Sequence, residues 1–281
     1  MHGLALWKLN ELDGAASELE AARKAGTNSR VEVTLAAVKF DQGKEDEAAT
    51  ILGQVLKTEP GNPDANFWMA RVNDKKGNYA TALESIRAAI DRAPTRPPFH
   101  YELGRILRDA GKLPEAIDAW KAAVKLDPGY ADAWEALGQG YLQSNRYKDA
   151  VASFEACLKA DPSRSRILGS LGDCHYQVGK WSQAIASYQA ALKADPSLTS
   201  LYYRLGRASS ELGQHDKAIG FYQRAIAAEP DNAMAYYHLG YAWKERGNKR
   251  EAVAAFQKYL AKAPEAKDRK DIEDEVYFLS K

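Results

Sequence analysis

Apolar residues in this chain recur at helical spacing, in short bursts that stop and restart. Between residues 165 and 198 ("SRILGSLGDCHYQVGKWSQAIASYQAALKADPSL"), Leu168, Leu171, Cys174, His175 and Val178 fall at i, i+3, i+6, i+7 and i+10, one face of a helix. Gly179 then supplies a residue that ends a helix in left-handed backbone geometry without steric cost. A second stripe follows in Ala184, Ile185, Tyr188, Ala191 and Leu192. Pro196 closes it, because proline cannot donate the next backbone bond and restrains the residue before it. The segment predicts helix, tight turn, helix, stop.

The same sentence is written seven times. Pro60, Pro94, Pro128, Pro162, Pro196, Pro230 and Pro264 each stand 34 residues from the next. Gly43, Gly77, Gly111, Asn145, Gly179, Gly213 and Gly247 keep the same interval, as do Ala48, Ala82, Ala116, Ala150, Ala184, Ala218 and Ala252. Asparagine is the residue after glycine that best tolerates left-handed geometry, so Asn145 fits the turn slot. The hexapeptide "LKADPS" even recurs letter for letter at 158–163 and 192–197. One helical hairpin cannot bury its own apolar face, so repeating hairpins must stack. The expected class is all-α: a right-handed superhelical solenoid of stacked antiparallel helix pairs.

Counted from Ser29, Pro63, Pro97, Ala131, Ser165, Thr199 and Ala233, the units carry a recognisable set of slots. Trp134 stands at unit position 4, with Tyr202 and Tyr236 as aromatic substitutes. Leu103-Gly104, Leu137-Gly138, Leu171-Gly172, Leu205-Gly206 and Leu239-Gly240 stand at positions 7–8, and Ala36 and Ala70 replace the glycine in the first two units. Trp120, Phe154, Tyr188, Tyr222 and Phe256 hold position 24. In these slots the chain resembles the tetratricopeptide repeat family. The organisation expected is a partial repeat over 1–28, seven units (29–62, 63–96, 97–130, 131–164, 165–198, 199–232 and 233–266), and a C-terminal capping helix over 267–281.

The partial unit places Gly3, Ala15 and Ala22 at positions 8, 20 and 27, with its first helix short by a turn or more. It reads as the remainder of a longer array or an unusual cap. At the other end Ile272, Val276 and Leu279 form an apolar stripe with charges between, expected to cover the last unit's edge. A free amphipathic peptide for a partner is the alternative reading of that stripe.

Charge changes the picture by exclusion. Lys plus Arg number 39 and Asp plus Glu 38, a formal net charge of +1. A dedicated nucleic-acid binder draws its affinity from a basic excess, which is missing here. No apolar run reaches the roughly 18 residues of a membrane span, and no secretion signal is written at the start, so a cytoplasmic location is the expectation. Cys157 and Cys174 are too few for a disulfide framework. Cys174 and His175 invite a metal or nucleophile reading, but no compact ligand spacing accompanies them, and their slots face the hairpin interior. No phosphate loop, nucleophile elbow or HExxH helix occurs. The expectation is a protein without catalysis, metal or cofactor.

What the resemblance implies is binding. In this family the first helices of successive units line a concave groove, with positions 2, 5, 9, 12 and 13 pointing into it. In those slots Phe67, Arg71, Tyr101, Arg105 and Arg108 make one aromatic-basic neighbourhood, and Tyr203, Arg207, Tyr237, Tyr241 and Lys244 make another. Glu135 and Asp173 stand between them along the chain. Aromatic and arginine side chains commonly dominate interface energy. These ten residues are the candidate partner-binding site, for a peptide or protein segment with acidic stretches. The chaperone-tail clamp of the family wants Lys at 5 and Asn at 9, a pair no unit has. The asparagine ladder of its glycosyltransferase-associated members wants Asn at 6, where this chain has Thr34, Trp68, Glu102, Ala136, Ser170, Arg204 and His238. Single-stranded nucleic acid held on the Arg/Tyr patches, and self-association through an open repeat edge, are the rival readings. Replacing Arg105 and Arg207 together by glutamate is expected to abolish partner capture without disturbing the fold.

Overall fold

The computed structural model describes residues 2–26 and 28–281; Met1 and Thr27, both within the partial N-terminal repeat, lie outside the described residues. Two compact units divide the chain at Gly140 and Tyr141.

The first unit contains α1 (His2–Lys8), α2 (Leu12–Ala25), α3 (Ser29–Asp41), α4 (Glu45–Thr58), α5 (Pro63–Lys75), α6 (Tyr79–Arg92), α7 (Pro97–Asp109) and α8 (Leu113–Leu126), with α9 (Ala131–Gln143) beginning in it. The second contains α10 (Tyr147–Ala160), a 3-10 turn over Ser165–Ile167, α11 (Leu168–Gln177), α12 (Trp181–Ala194), α13 (Leu201–Glu211), α14 (His215–Ala228), α15 (Ala233–Glu245), α16 (Lys249–Lys262) and α17 (Arg269–Leu279). Within each unit the helices pack with the next or next-but-one in sequence. No strand occurs among the described residues.

The helix ends follow from local chemistry. The seven turn residues all have positive φ, from 56° at Asn145 to 81° at Gly247. Behind Asn145, the Arg146 amide donates to the Tyr141 carbonyl at 2.8 Å, closing the first helix of the hairpin as glycine does elsewhere. Asn28, Asn62 and Asn232 cap α3, α5 and α15 by accepting from the third helical amide.

Two first helices begin later than the sequence pattern placed them, at Leu168 and Leu201 rather than Ser165 and Thr199. Both follow a copy of the repeated hexapeptide. In each copy the aspartate turns onto the serine two residues later: Asp161 Oδ1 accepts from Ser163 N (3.0 Å) and Oγ (2.6 Å), and Asp195 Oδ1 from Ser197 N (2.9 Å) and Oγ (2.6 Å). That turn takes the place of an asparagine cap, and no side chain caps α11 or α13.

The hairpin core rests on one contact that the sequence writes as two separate rules. A Cβ placed on Gly104 would lie 2.3 Å from Nε1 of Trp120, the position-24 aromatic of the same hairpin. On Gly240 it would lie 2.5 Å from the Phe256 ring. Glycine at 8 is thus the space that an aromatic at 24 fills. Where position 8 is Ala36 or Ala70, position 24 holds the slimmer Leu52 or Ile86, and all four are fully buried.

A second repeated bond ties hairpins in series. Asn66, His100 and Trp134, all at position 4, reach the carbonyls of Pro60, Pro94 and Pro128 at 3.0, 2.7 and 2.9 Å. At the C-terminus α17 buries Ile272 against Phe256 and Tyr259, with Val276 and Leu279 alongside. The stripe is docked on its own chain.

Candidate functional site

In the first unit the predicted residues lie on α5 and α7, and the structure brings them together. Phe67 stacks on Phe99 with centroids 5.1 Å apart, and Tyr101 lies 5.3 Å from Tyr130. The Arg71 guanidinium sits 4.4 Å from the Trp68 ring and 4.8 Å from Phe40. Beneath these aromatics are two carboxylates, Glu102 at position 6 and Asp74 at the groove position 12. Arg105 Nη1 is 3.2 Å from Glu102 and its Nη2 is 3.8 Å from Asp74; Arg71 Nε is 3.9 Å from Glu102. Arg108 turns to Asp109 at 2.9 Å. The Glu102 and Asp74 side chains are only 4% and 7% exposed. Burial pushes both carboxyls above their usual range against the pull of the arginines. The aromatic-basic neighbourhood is therefore an internally neutralised ion cluster.

In the second unit the five predicted residues divide into two groups. Tyr203 and Arg207 border a cleft of about 510 Å³ together with Tyr176, Tyr188 and Arg204. Arg207 lies 4.7 Å over the Tyr176 ring and donates from Nη2 to the Tyr176 hydroxyl at 2.9 Å. The Tyr176 hydroxyl donates onward to Glu211 at 2.9 Å. Asp173 is already occupied, accepting from the Tyr188 hydroxyl at 2.8 Å and pairing with Arg204. Tyr237, Tyr241 and Lys244 instead meet the C-terminal cap. The two tyrosines pack on the cluster that holds Ile272, and Lys244 pairs with Glu275 of α17 at 2.7 Å.

Of the five basic residues predicted for the site, Arg71, Arg105, Arg108 and Lys244 each have a carboxylate partner. Arg207 has none among the described residues. Behind it Tyr203, Tyr222 and His238 form a ring cluster, with His238 stacked on Tyr222 at 5.8 Å. Burial, and then the nearby Arg207 charge, pull the His238 pKa down to about 4.

The buried sulfur and imidazole groups have structural surroundings. Neither cysteine forms a disulfide and both are buried. Burial and then Asp173 push the Cys174 thiol up to about 11, which makes it a poor nucleophile. His175 Nδ1 is 3.2 Å from Ser187 Oγ, its Nε2 is 3.6 Å from Glu155, and burial lowers its pKa. Among the described residues, no group of three or more His, Cys, Asp or Glu side chains is placed to hold a metal. None of the described helices is long and apolar enough to cross a membrane.

Profiles described as "Tetratricopeptide repeat" match residues 39–101, 135–199 and 200–267, and one described as "TPR repeat" matches 104–143. The chain belongs to the tetratricopeptide repeat family. Tetratricopeptide repeats carry a general role as protein-interaction scaffolds. No curated protein matches the chain. Among solved structures, MamA is similar at 29% identity and a TM-score of 0.56, over 62% of this chain and 94% of that one. YrrB, described as a TPR protein with an unusual peptide-binding site, is similar at 20% identity and a TM-score of 0.62, over 68% of this chain and 99% of that one. The C-terminal part of a TPR repeat-containing protein from Cytophaga hutchinsonii gives 19% identity and a TM-score of 0.67, over 85% and 98%. Those last two likenesses concern the fold.

Within this tetratricopeptide array the pairings that slot reasoning missed share one signal. Arg71–Glu102, Asp74–Arg105, Asp173–Arg204 and Tyr176–Arg207 are all pairs 31 residues apart. In a 34-residue repeat, a first helix reaches its neighbour three positions back from the equivalent slot. Reading charges at i and i+31 would have found Glu102 as the partner of Arg71.

Proposed function

We propose that this tetratricopeptide array is a non-enzymatic, cofactor-free scaffold, and that it holds an acidic polypeptide segment against the first helices of its second unit. The contact is centred on Arg207 and flanked by Tyr176 and Tyr203. The observation that carries this reading is that Arg207 is the predicted basic site residue left without a carboxylate. Its guanidinium is already oriented by the Tyr176 ring and hydroxyl, so an incoming Asp or Glu meets a pre-organised donor. The cluster around Arg105 supplies shape and aromatic surface but no net charge. A cytoplasmic setting and the seven-unit division with its two end pieces belong to the same proposal.

The experiment is a peptide array graded in acidic content and read with labelled protein. Acidic segments should be retained, and Arg207→Glu should weaken that retention about tenfold or more. Equal retention of neutral peptides, or an unaffected Arg207→Glu variant, sinks the assignment. Arg105→Glu is unsuitable as a companion, because it would set a third carboxylate beside Glu102 and Asp74 and destabilise the fold itself.

A further inference from the structure

A cavity of about 1030 Å³ in the first unit is lined by none of the residues of the proposed site. It opens between α2 and α4, with α3 as its floor. The α3 residues that line it are Ser29, Glu32, Leu35 and Lys39, at unit positions 1, 4, 7 and 11. This stripe differs from the one carrying Val33, Ala37 and Phe40.

Two of its lining residues set this unit apart. Across the seven units, position 4 reads Glu32, Asn66, His100, Trp134, Leu168, Tyr202 and Tyr236. Position 11 reads Lys39, Asn73, Leu107, Tyr141, His175, Ser209 and Trp243. Glu32 and Lys39 are the charged exceptions at the two slots, and they share one unit. Where other hairpins use these positions to donate to a proline carbonyl or to fill space, this one buries a carboxylate and an ammonium.

Both are more than nine-tenths buried, at 6% and 8% exposure. They do not pair with each other. Lys39 Nζ is held by Glu20 of α2 at 2.8 Å and Glu47 of α4 at 3.1 Å. Glu32 Oε1 accepts from Arg23 Nε at 2.8 Å, while its Oε2 is buried without a protein partner. A buried carboxylate oxygen with no donor is costly, and it leaves the Glu32 charge only partly satisfied by Arg23. The Arg23 fork spans the cavity, with Nε on Glu32 and Nη2 on Gln54 of α4 at 3.0 Å. The lining carries four carboxylates (Glu20, Glu32, Glu47, Glu59) against three cations (Arg23, Lys24, Lys39), one negative charge in excess. Leu35, Ile51 and Val55 give it an apolar base for a side-chain stem.

We propose that this cavity is a second binding site, taking an arginine or lysine side chain of a partner polypeptide, with the cationic head among the lining carboxylates and the stem on Leu35, Ile51 and Val55. The volume exceeds that of one side chain, so it admits the apolar neighbours of the basic residue as well. The site accepts positive charge where Arg207 accepts negative charge, so the two proposals stand or fall separately.

The test uses the full chain and a blocked alanine–leucine peptide with one central arginine, followed by calorimetry and amide shifts. Binding should saturate and move the amides of Glu32, Leu35 and Ile51. Replacing the arginine by citrulline, which keeps the shape and removes the charge, should weaken binding at least tenfold, and so should Glu32→Gln. Thr50→Trp, an exposed position on the rim, should block binding without touching a charge, and it keeps the test decisive if Glu32→Gln fails to fold. The proposal is overturned if the citrulline peptide binds equally, or if Thr50→Trp or a folded Glu32→Gln has no effect. It is overturned too if free butylguanidine matches the peptide's affinity, since the site would then serve a small cation.

Discussion

Gly104 concentrates the logic of the whole hairpin in one missing carbon. Alanine there would gain about 1 kcal/mol in helix propensity. Its Cβ, however, would fall 2.3 Å from Trp120, whose other side already presses on Gly140, where a Cβ would lie 2.9 Å from Cζ3. The indole has nowhere to retreat, and overpacking of this kind costs about 1–3 kcal/mol or more. We expect Gly104→Ala to destabilise the protein by about 2 kcal/mol in urea unfolding. Adding Trp120→Leu should recover most of the loss, reproducing the Ala36/Leu52 pairing. His238 gives a residue-scale prediction in pH. Its folded pKa of about 4 lies below the unfolded value of 6.5, so the folded state resists protonation. Its contribution is complete above pH 6.5 and is lost as pH falls towards 4, about 3 kcal/mol in all. A His238→Phe variant, which keeps the stack on Tyr222, should lack that slope between pH 6.5 and 4.

At the scale of elements, what is local was legible and what is relayed between hairpins was not. Turn glycines, proline stops and the 3.6-residue stripes act within a few residues, and they located the helices of both units. The late starts of α11 and α13 escaped because the side-chain turns of Asp161 and Asp195 ahead of them have a counterpart at Asp127, and α9 after it begins on its slot. The neutralisation escaped because Arg71–Glu102 and Asp74–Arg105 pair across hairpins at a 31-residue spacing, and because sorting residues by groove slot passes over the short-range pairs Glu102–Arg105 and Arg108–Asp109. The burial of Glu102 and Asp74 also hides them from a reading that sorts residues by face, since Glu102 looks like any other helical glutamate. The same holds for Tyr237, Tyr241 and Lys244, whose neighbour α17 follows no repeat. Cap packing is testable directly. Ile272 is 1% exposed, so Ile272→Ala should cost about 2–5 kcal/mol and raise the acrylamide quenching of Trp243, which packs on the same cluster.

For the whole molecule, near-zero net charge is not the same as an even surface. Carboxylates and guanidiniums cancel each other on the first helices of the first unit, whereas Arg207 in the second unit has no carboxylate partner among the described residues. An acidic segment captured at Arg207 should lose affinity only gently with salt, with a log–log slope near −1. A nucleic-acid strand held by several phosphate contacts would fall much more steeply. A salt titration of whatever the array captures separates the two, and a slope of −4 or steeper would favour the strand. Self-association through a repeat edge should appear as a mass that grows with concentration in light scattering.

The pairing of a vacant Cβ with a large ring also constrains how such arrays change over generations. A hairpin with Ala36 opposite Leu52 cannot acquire a tryptophan at residue 52 in one step, because the ring would arrive before its space. Glycine must come first, at the expense of a loosened core, and the aromatic afterwards. The route back runs in reverse order, so neighbouring repeats can hold different solutions long after copying, each locked by the order in which its two codons would have to mutate.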